Sequence, residues 1–331
     1  MKKATKPAPK SVKKVAAATQ GTNDDRLSPE EILRAFQSGE AKPYRLLDTG
    51  DGRKLEDVGG YSFNRQCPVA FWRAKKSPAE WRRVHAEHKR TDTGGGYWEQ
   101  SGKTPPYWFT QVGRLVFKTK MTAFGHLGFF AEQAEQWDWF HDSIAARVAT
   151  NANDDARPRV LNLFGYTGGS SIACALGGAV VTHVDAAKGV VDWSRQNAAL
   201  NGVPEGRMRY AVEDCLVFLE REAKRGNRYD GLIMDPPSYG RGPNKEVFKL
   251  EDDVLKLLDR AKAVLKPSPM LFHFSCHTPG FTPVVLKELV LDIFPAFRDT
   301  HAIETGEMLV RESADGRPVP SGFYCRSLKK A

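Results

Sequence analysis

The sequence of 331 residues has no apolar run approaching the roughly 18 residues that a membrane-spanning helix needs, and no secretory leader. Its five cysteines are scattered without a C-x-x-C pair, which disfavours a disulfide framework and a zinc site. We therefore expect a cytoplasmic protein with no membrane partner and no metal. The chain is 41% hydrophobic and 27% charged, so global disorder and collagen-like or coiled-coil architectures are disfavoured. Its length suits two domains, or one domain with a large appendage, and leaves the oligomeric state open.

Acidic residues are missing from the first twenty positions, which hold six lysines and contribute much of the net charge of +9. This Lys/Ala/Pro-rich stretch has no apolar periodicity, so residues 1–26 are predicted to form a disordered basic arm. Such an arm keeps a protein soluble or holds polyanions weakly. An organelle transit peptide is the third interpretation, although lysine rather than arginine dominates here.

A second basic region, residues 61–120, carries twelve basic and four acidic side chains, with aromatic residues between the charges. Lysine and arginine neutralise phosphates, and aromatic faces stack on unpaired bases, so this pattern suits single-stranded or looped RNA as a partner. The alternative is that the tryptophans form the core of a small β module whose wet face carries the charges. Both can be true at once. The aromatic members are Trp72, Trp81, Tyr97, Trp98, Tyr107 and Trp108.

Two secondary-structure patterns divide the rest of the chain. In residues 27–125, a helix capped by Ser28 precedes short apolar stretches and glycine-rich turns, which is typical of a small β-rich module. In residues 126–331, a helix is followed by alternating strands and helices from Arg159 onward. This alternation predicts an α/β domain, a parallel Rossmann-like sheet with helices on both faces. Ligands of such sheets bind beyond the carboxyl ends of the strands.

The first strand of this domain ends in a glycine-rich loop, from Gly165 to Gly169. Glycines let the backbone approach a ligand closely, and the helix that follows presents free N–H groups to it. Asp185 ends the second strand, where a carboxylate accepts hydrogen bonds from ribose hydroxyls. Asp214 follows the third strand, where it is placed to accept a hydrogen bond from an adenine amine. The set predicts an adenosine-containing cofactor. Because the spacing differs from G-x-G-x-x-G, a nicotinamide cofactor is disfavoured.

Asp235 and two prolines follow the fourth strand. The prolines fix the backbone, remove two donors and aim the preceding carboxylate into the crevice. A rigid polar lip of this kind holds a planar base by its exocyclic amine. We therefore expect Asp235 to be catalytic and to contact the cofactor, and Pro236, Pro237 and Ser238 to contact the substrate.

Residues 126–331 resemble the class I S-adenosylmethionine-dependent methyltransferases, and among them the ribosomal-RNA family that includes large-subunit cytosine-C5 enzymes. The matching stretches are residues 128–133 (GFFAEQ), 160–169 (VLNLFGYTGG), 184–185 (VD), 197–202 (NAALNG), 213–215 (EDC), 235–237 (DPP) and 274–276 (FSC). The resemblance implies S-adenosyl-L-methionine as the cofactor and RNA, of ribosomal origin, as the partner. The cofactor residues expected on these grounds are Gln133, Asn162, Gly165, Tyr166, Thr167, Gly168, Asp185, Asp214, Cys215 and Asp235.

Carbon 5 of a pyrimidine is a poor nucleophile, and a covalent route overcomes this. A thiolate adds to C6, C5 takes the methyl group, and a base removes the C5 proton before the thiol leaves. Cys276 ends the fifth strand, which we expect beside the fourth, so its thiol should face Asp235 across the crevice. We assign Cys276 as the nucleophile. Of the two flanking histidines, only His277 is placed to reach the site and to lower the pKa of the thiol.

Two further hypotheses stay open. Guanine methyltransferases of related families share the Asp-Pro-Pro lip and need no thiol. A cofactor-sensing RNA-binding protein without turnover would need neither the lip nor the thiol. The complete set of cofactor residues and the intact lip argue against this hypothesis.

Overall fold

A computed structural model of the protein describes residues 13–15, 27–28, 30–32, 39, 41–91, 95–150, 157–241, 247–312 and 316–330. Residues 13–15 form a strand, unlike the disordered arm expected there, and the remainder of that predicted arm lies outside the described residues. Ser28 caps the first helical turn as predicted, because the Glu31 N–H donates to Ser28 Oγ and the Ser28 N–H donates to Glu31 Oε2.

The N-terminal module is built from two sheets. One has the strand order β1-β7-β6-β5-β4-β3 and the other the order β2-β8-β9. Most neighbours pair antiparallel, but β5 with β6 and β2 with β8 pair parallel. The elements are β1 Lys13–Val15, β2 Lys42–Pro43, β3 Arg45–Gly50, β4 Arg53–Val58, β5 Tyr61–Gln66, α1 Pro78–Arg82, β6 Ala86–Arg90, β7 Gly96–Gln100, β8 Trp108–Val112 and β9 Leu115–Thr119.

Two of the tryptophans in the basic region form the core of this module. Trp108 stacks on Phe63 with ring centroids 5.6 Å apart, and Trp98 meets the same ring edge-on at 5.5 Å. Trp81 lies partly exposed, and its indole N–H donates to the buried Asp48 carboxylate. The core interpretation is therefore correct for Trp98 and Trp108, and neither ring is free to stack on a nucleotide.

The main sheet of the C-terminal domain has the strand order β12-β11-β10-β13-β16-β18-β17, and β14 and β15 pair antiparallel as a separate two-stranded sheet. The first five strands are parallel, as predicted. The last two form an antiparallel hairpin that the sequence analysis did not predict. The elements are α2 Ala134–Ala149, β10 Arg159–Leu163, α3 Gly169–Leu176, β11 Val180–Asp185, α4 Lys188–Leu200, β12 Met208–Val212, α5 Cys215–Lys224, β13 Gly231–Met234, β14 Tyr239–Arg241, β15 Val247–Lys249, α6 Leu250–Val264, β16 Leu271–Cys276, α7 Pro283–Ile293, α8 Phe297–Thr300, β17 His301–Arg311 and β18 Pro318–Lys329.

Helices cover both faces of this sheet. Apolar residues of α5, α6 and α7 pack on one face, and those of α2, α3 and α4 pack on the other. The second cluster continues into the module, where Phe117 of β9 lies 5.1 Å from Trp137 of α2, measured between ring centroids. The hydrophobic core therefore runs across the domain boundary placed at residues 125 and 126.

Candidate active site

A cavity of about 550 Å³ lies beyond the carboxyl ends of β10, β11 and β13. This volume is within the range of small-molecule sites. Its wall includes the glycine loop after β10, the aspartates after β11 and β13, and Asp214. Of the predicted cofactor residues, those that line the cavity are Gln133, Asn162, Gly165, Tyr166, Thr167, Gly168, Asp185, Asp214, Cys215 and Asp235.

The loop after β10 has an uncommon backbone. Phe164 and Tyr166 adopt φ values of 55° and 50°, and Gly168, the N-cap residue of α3, has φ 97°. Left-handed φ values in non-glycine residues cost roughly 1–3 kcal/mol each and are found mainly at functional sites. The Asp185 carboxylate helps to hold this conformation, because Oδ2 accepts the Tyr166 N–H at 3.0 Å.

The glycines of the loop are needed for packing against the protein itself. A Cβ atom at Gly165 would lie 2.4 Å from the His183 ring, and one at Gly168 would lie 2.3 Å from Ser194 Oγ. From the sequence, these glycines were predicted to allow close approach of a ligand. The structure adds a different cause, which is that α4 and β11 press against the loop from behind.

Asp185 and Asp214 both bind backbone N–H groups. Asp185 accepts from Tyr166 and, through Oδ1, from Ala187 at 2.9 Å. Burial raises the pKa of Asp185, although these N–H groups oppose the shift. Asp214 caps α5, because its Oδ1 accepts the N–H groups of Leu216 and Val217. Asp214 thus has a structural role in addition to the one predicted for it.

Hydrogen bonds beneath the cavity fix three residues of its wall, Asn162, Thr167 and Cys215. Asn162 Nδ2 donates to Ser171 Oγ at 2.8 Å, and the Thr167 hydroxyl donates to the Gly128 carbonyl at 2.6 Å. The buried Cys215 Sγ accepts the Phe164 N–H at 3.4 Å. The Cys215 thiol thus helps to fix the loop.

The Asp-Pro-Pro lip is tied to two other segments. Gln133 Nε2 donates to Asp235 Oδ2 at 2.9 Å and to Ser275 Oγ at 3.2 Å. Two buried acceptors, Gln133 Oε1 and Asp235 Oδ1, have no partner among the described residues. Unpaired buried acceptors cost free energy, so such a pair in a cavity wall is suited to a donor from a ligand.

Comparison with known proteins agrees with this geometry. The family model for the S-adenosylmethionine-dependent methyltransferases matches residues 128–308. A solved S-adenosylmethionine-dependent methyltransferase from Agrobacterium tumefaciens is 31% identical, with a TM-score of 0.78 over 87% of this chain and 90% of that one. The chain belongs to the S-adenosylmethionine-dependent methyltransferase family.

Curated relatives of this methyltransferase include two ribosomal-RNA enzymes. Ribosomal RNA large subunit methyltransferase K/L of Pseudoalteromonas translucida is 37% identical over 43% of this chain and 19% of its own length. Ribosomal RNA large subunit methyltransferase I of Erwinia tasmaniensis is 31% identical over 57% of this chain and 47% of its own. The chain thus matches less than half of the length of either relative.

The residues present fit the cofactor of the family, S-adenosylmethionine. The unpaired acceptor Gln133 Oε1 suits a donor of its ammonium group, and the carboxylates of Asp185 and Asp214 in the same cavity wall suit the hydroxyl and amine donors of its ribose and adenine. Within the described ranges, no group of three or more His, Cys, Asp or Glu side chains is arranged to hold a metal ion. Every helix in those ranges is too short or too polar to cross a bilayer.

His277 lies between two carboxylates at the edge of the cavity. Its Nε2 is 3.8 Å from Asp235 Oδ2, and its Nδ1 is 3.9 Å from Glu132 Oε1. Burial lowers the pKa of His277, but the nearby carboxylates of Asp235 and Glu132 outweigh it and raise the pKa to about 9. For Asp235, burial raises the pKa, and His277 more than compensates, so this pKa lies below its usual range. The pair is ionised at neutral pH.

Cys276 does not lie where the sequence analysis placed it. Strand β16 is the parallel neighbour of β13, as expected, but the thiol is fully buried and does not line the cavity. Side chains alternate along a strand, so Ser275 faces Gln133 while Cys276 packs with Phe274 on the opposite face. Burial raises the pKa of the Cys276 thiol to about 11. The expectation that this thiol faces Asp235 across the crevice is therefore wrong for this structure.

Of the three substrate residues predicted in the lip, two lie in the cavity wall and one does not. Pro236 and Pro237 line the cavity, whereas Ser238 does not. The Ser238 hydroxyl is exposed and lies 2.7 Å from Thr278 Oγ1, which ties the lip to the segment after β16. The sequence analysis missed Phe130, whose ring lies 5.2 Å from Tyr166 and 5.7 Å from His277. Phe130 belongs to the stretch 128–133 that carried the resemblance, but only the fold brings it to these rings.

Proposed function

We propose that this methyltransferase transfers a methyl group from S-adenosylmethionine to a base of ribosomal RNA. The observation that carries the proposal is that the Asp235–Pro237 lip and the Gly165–Gly168 loop face one cavity. An unpaired carboxylate oxygen beside two prolines suits the exocyclic amine of a planar base. The names of the K/L and I relatives support ribosomal RNA as the substrate class.

When bound, the cofactor supplies an electrophilic methyl group on a sulfonium centre. Gln133 and the loop backbone hold its methionine end, Asp185 accepts from its ribose, and Asp214 lies beside its adenine. The contribution of the protein is then mainly alignment, because Asp235 and the prolines fix the target base against the donor. A base inside a folded RNA must first leave its stack to reach this cavity.

Our first hypothesis for the target atom is cytosine C5, with Cys276 as the nucleophile. The thiolate adds to C6, and C5 attacks the methyl carbon while the bond from that carbon to the sulfonium sulfur breaks, so that S-adenosylhomocysteine is the leaving group. Loss of the C5 proton to a base then allows elimination of the thiolate. Cys276 ends the strand next to Asp235, which supports this route. It requires RNA binding to uncover the thiol and to lower a pKa that burial holds at about 11.

The second hypothesis is transfer to a guanine without a covalent step. The burial of Cys276 favours this alternative, because the reaction uses the lip and the cavity as they stand. It needs an acceptor for the proton that the guanine loses, and Asp235, ionised and unpaired at Oδ1, is placed for that task.

One experiment tests the proposal and separates the hypotheses. The protein is incubated with tritium-labelled cofactor and unmodified large-subunit ribosomal RNA, and methyl transfer is expected. An RNA containing 5-fluorocytosine then traps a covalent adduct if C5 is the target, and Cys276→Ser abolishes that adduct. Methyl transfer that survives Cys276→Ser contradicts the covalent route, and transfer to no RNA contradicts the proposed function.

A further inference from the structure

A tight turn, residues 122–126, separates the active-site cavity from a second cavity of about 390 Å³. The two cavities share His126, Phe129 and Phe130 in their walls. The second cavity lies between strands β4 to β6 of the module and the segment that leads into α2. It therefore adjoins the site proposed to receive the target base.

The turn is held in place by side chains of the module. Its carbonyl oxygens at positions 122 and 125 accept from Trp98 Nε1 at 2.8 Å and from Arg65 Nη1 at 2.9 Å. The carbonyl at position 123 lies 3.2 Å from His88 Nε2. A Cβ atom at Gly125 would lie 2.8 Å from the His88 ring, so the turn sits directly on that ring. This contact gives the turn a fixed position.

This rigid turn presents aromatic rings outward. Phe124 is 69% exposed and lies in the wall of the second cavity. His126 is also exposed, and its ring centroid lies 5.1 Å from that of Phe130. Aromatic faces that stand at a fixed place beside a base-binding cavity are stacking surfaces for the neighbouring unpaired base.

The cations of the second cavity outnumber its acids. Lys54, Arg65 and Arg90 line it together with one carboxylate, Glu132. Glu56, behind the wall, pairs with Arg65 at 2.6 Å and with Lys54 at 3.3 Å, so these two cations are partly neutralised. Arg90 is exposed and makes no ion pair with another described residue. Arg90 is therefore the side chain best placed to take up a phosphate.

We propose that the turn and the second cavity bind the RNA strand next to the target nucleotide, with Phe124 stacked on a neighbouring base and Arg90 on a phosphate. This proposal rests on the proposed function and adds the substrate-positioning surface to it. Cations beside an exposed ring match the alternation of phosphate and base along a single strand. The region that the sequence analysis assigned to RNA thus contributes through Arg90, while its buried tryptophans do not.

The binding test uses a short fluorescein-labelled single-stranded RNA and fluorescence anisotropy. Phe124→Ala is expected to weaken binding by about tenfold through loss of one stacking contact. Arg90→Ala is expected to reduce the slope of log affinity against log salt by about one. Lys262→Ala is the matched control, because Lys262 is exposed on α6 and lines neither cavity. Equal affinities and slopes for Phe124→Ala, Arg90→Ala and the wild type overturn the proposal, as does failure of the wild type to bind this RNA.

The kinetic test uses unmodified ribosomal RNA as the substrate. Both variants are expected to raise KM severalfold with little change in kcat, and to bind S-adenosylmethionine as the wild type does. If the wild type methylates RNA and both variants have the same KM as the wild type, this proposal alone is contradicted. A wild type that binds RNA through this surface but methylates none contradicts the proposed function and leaves the binding surface established.

Discussion

At the scale of the residue, Asp235 and His277 determine the charge at the edge of the cavity. The cationic imidazole keeps the carboxylate ionised, and Gln133 Nε2 holds one of its oxygens. The other oxygen is left for a ligand. In the proposed function, this free oxygen makes Asp235 the side chain that recognises the target base.

Asp235→Asn keeps the size of the side chain and removes its charge. We expect methyl transfer to fall about 100-fold or more, because a positioned acid–base group contributes 10²–10⁴-fold. Cofactor affinity should change much less. The matched control is Asp230→Asn, at the opposite end of the same strand, where Asp230 pairs with Lys266 at 2.6 Å. Full activity in Asp235→Asn would show that the lip carboxylate has no part in the reaction.

His277→Gln tests the ion pairs of this histidine through stability. The pKa of His277 is raised to about 9, so the stability it contributes is present below the unfolded-state pKa of about 6.5 and is lost as the pH rises through about 9. The wild type should therefore exceed His277→Gln in unfolding free energy at about pH 6, and this advantage should shrink by about pH 10. Urea denaturation of both proteins at the two pH values measures this difference in unfolding free energy. A difference in unfolding free energy that does not change with pH contradicts the raised pKa of His277.

At the scale of the element, the glycine loop links β10 to α3 through a backbone that ordinary residues rarely adopt. The sequence located this loop, because glycine spacing after an apolar strand is a local signal. The left-handed φ values of Phe164 and Tyr166 have no such signal. Asp185 on the next strand accepts the Tyr166 N–H, and Cys215 Sγ accepts the Phe164 N–H; both side chains come close only in the folded sheet.

Gly168→Ala tests the packing of this loop. The new Cβ would lie 2.3 Å from Ser194 Oγ at a φ of 97°, so we expect a loss of about 1–3 kcal/mol in unfolding free energy. Cofactor affinity, measured by calorimetry, should fall as well, because the loop forms the cavity wall. Gly189→Ala in α4 is the control. A Cβ there meets nothing within 4 Å, and alanine is favoured over glycine in a helix by roughly 0.5–1 kcal/mol. Equal stability of the two variants would contradict the packing argument.

The alternation of strands and helices in the parallel sheet was predicted from the sequence, because the apolar periodicity of these elements is regular. The C-terminal hairpin of β17 and β18 was not predicted. Its strands are 11 and 12 residues long, and they expose many positions in an irregular burial pattern, so alternation is weak. The pairing of β18 with β16 joins strands that are distant in sequence, and no local pattern predicts it.

At the scale of the whole molecule, the module and the methyltransferase domain share one hydrophobic cluster. Phe117 of β9 lies 5.7 Å from Phe129 and 5.1 Å from Trp137. The module is therefore part of the support of the cofactor cavity, since Phe117, Phe129 and Trp137 also line it.

Phe117→Ala should destabilise the whole chain. Removal of a fully buried phenylalanine costs about 3–5 kcal/mol, and we expect faster hydrogen exchange both in strands β4–β9 and in α2. Phe71→Ala is the control, because Phe71 is 92% exposed and its removal should change the unfolding free energy by less than about 0.5 kcal/mol. Exchange that increases in the module alone would show that the two parts are energetically separate.

The sequence by itself determined the family, the cofactor and the order of the site residues, because the glycine loop, Asp185, Asp214 and the Asp-Pro-Pro lip are short local motifs at strand ends. Only the tertiary structure decided which side chains reach the cavity. One residue of strand alternation separates Ser275, which contacts Gln133, from Cys276, which is buried on the other face. Aromatic residues follow the same rule: two of the tryptophans that the composition indicated, Trp98 and Trp108, are buried in the core, whereas Phe124 is exposed because a turn anchored by distant side chains holds it outside.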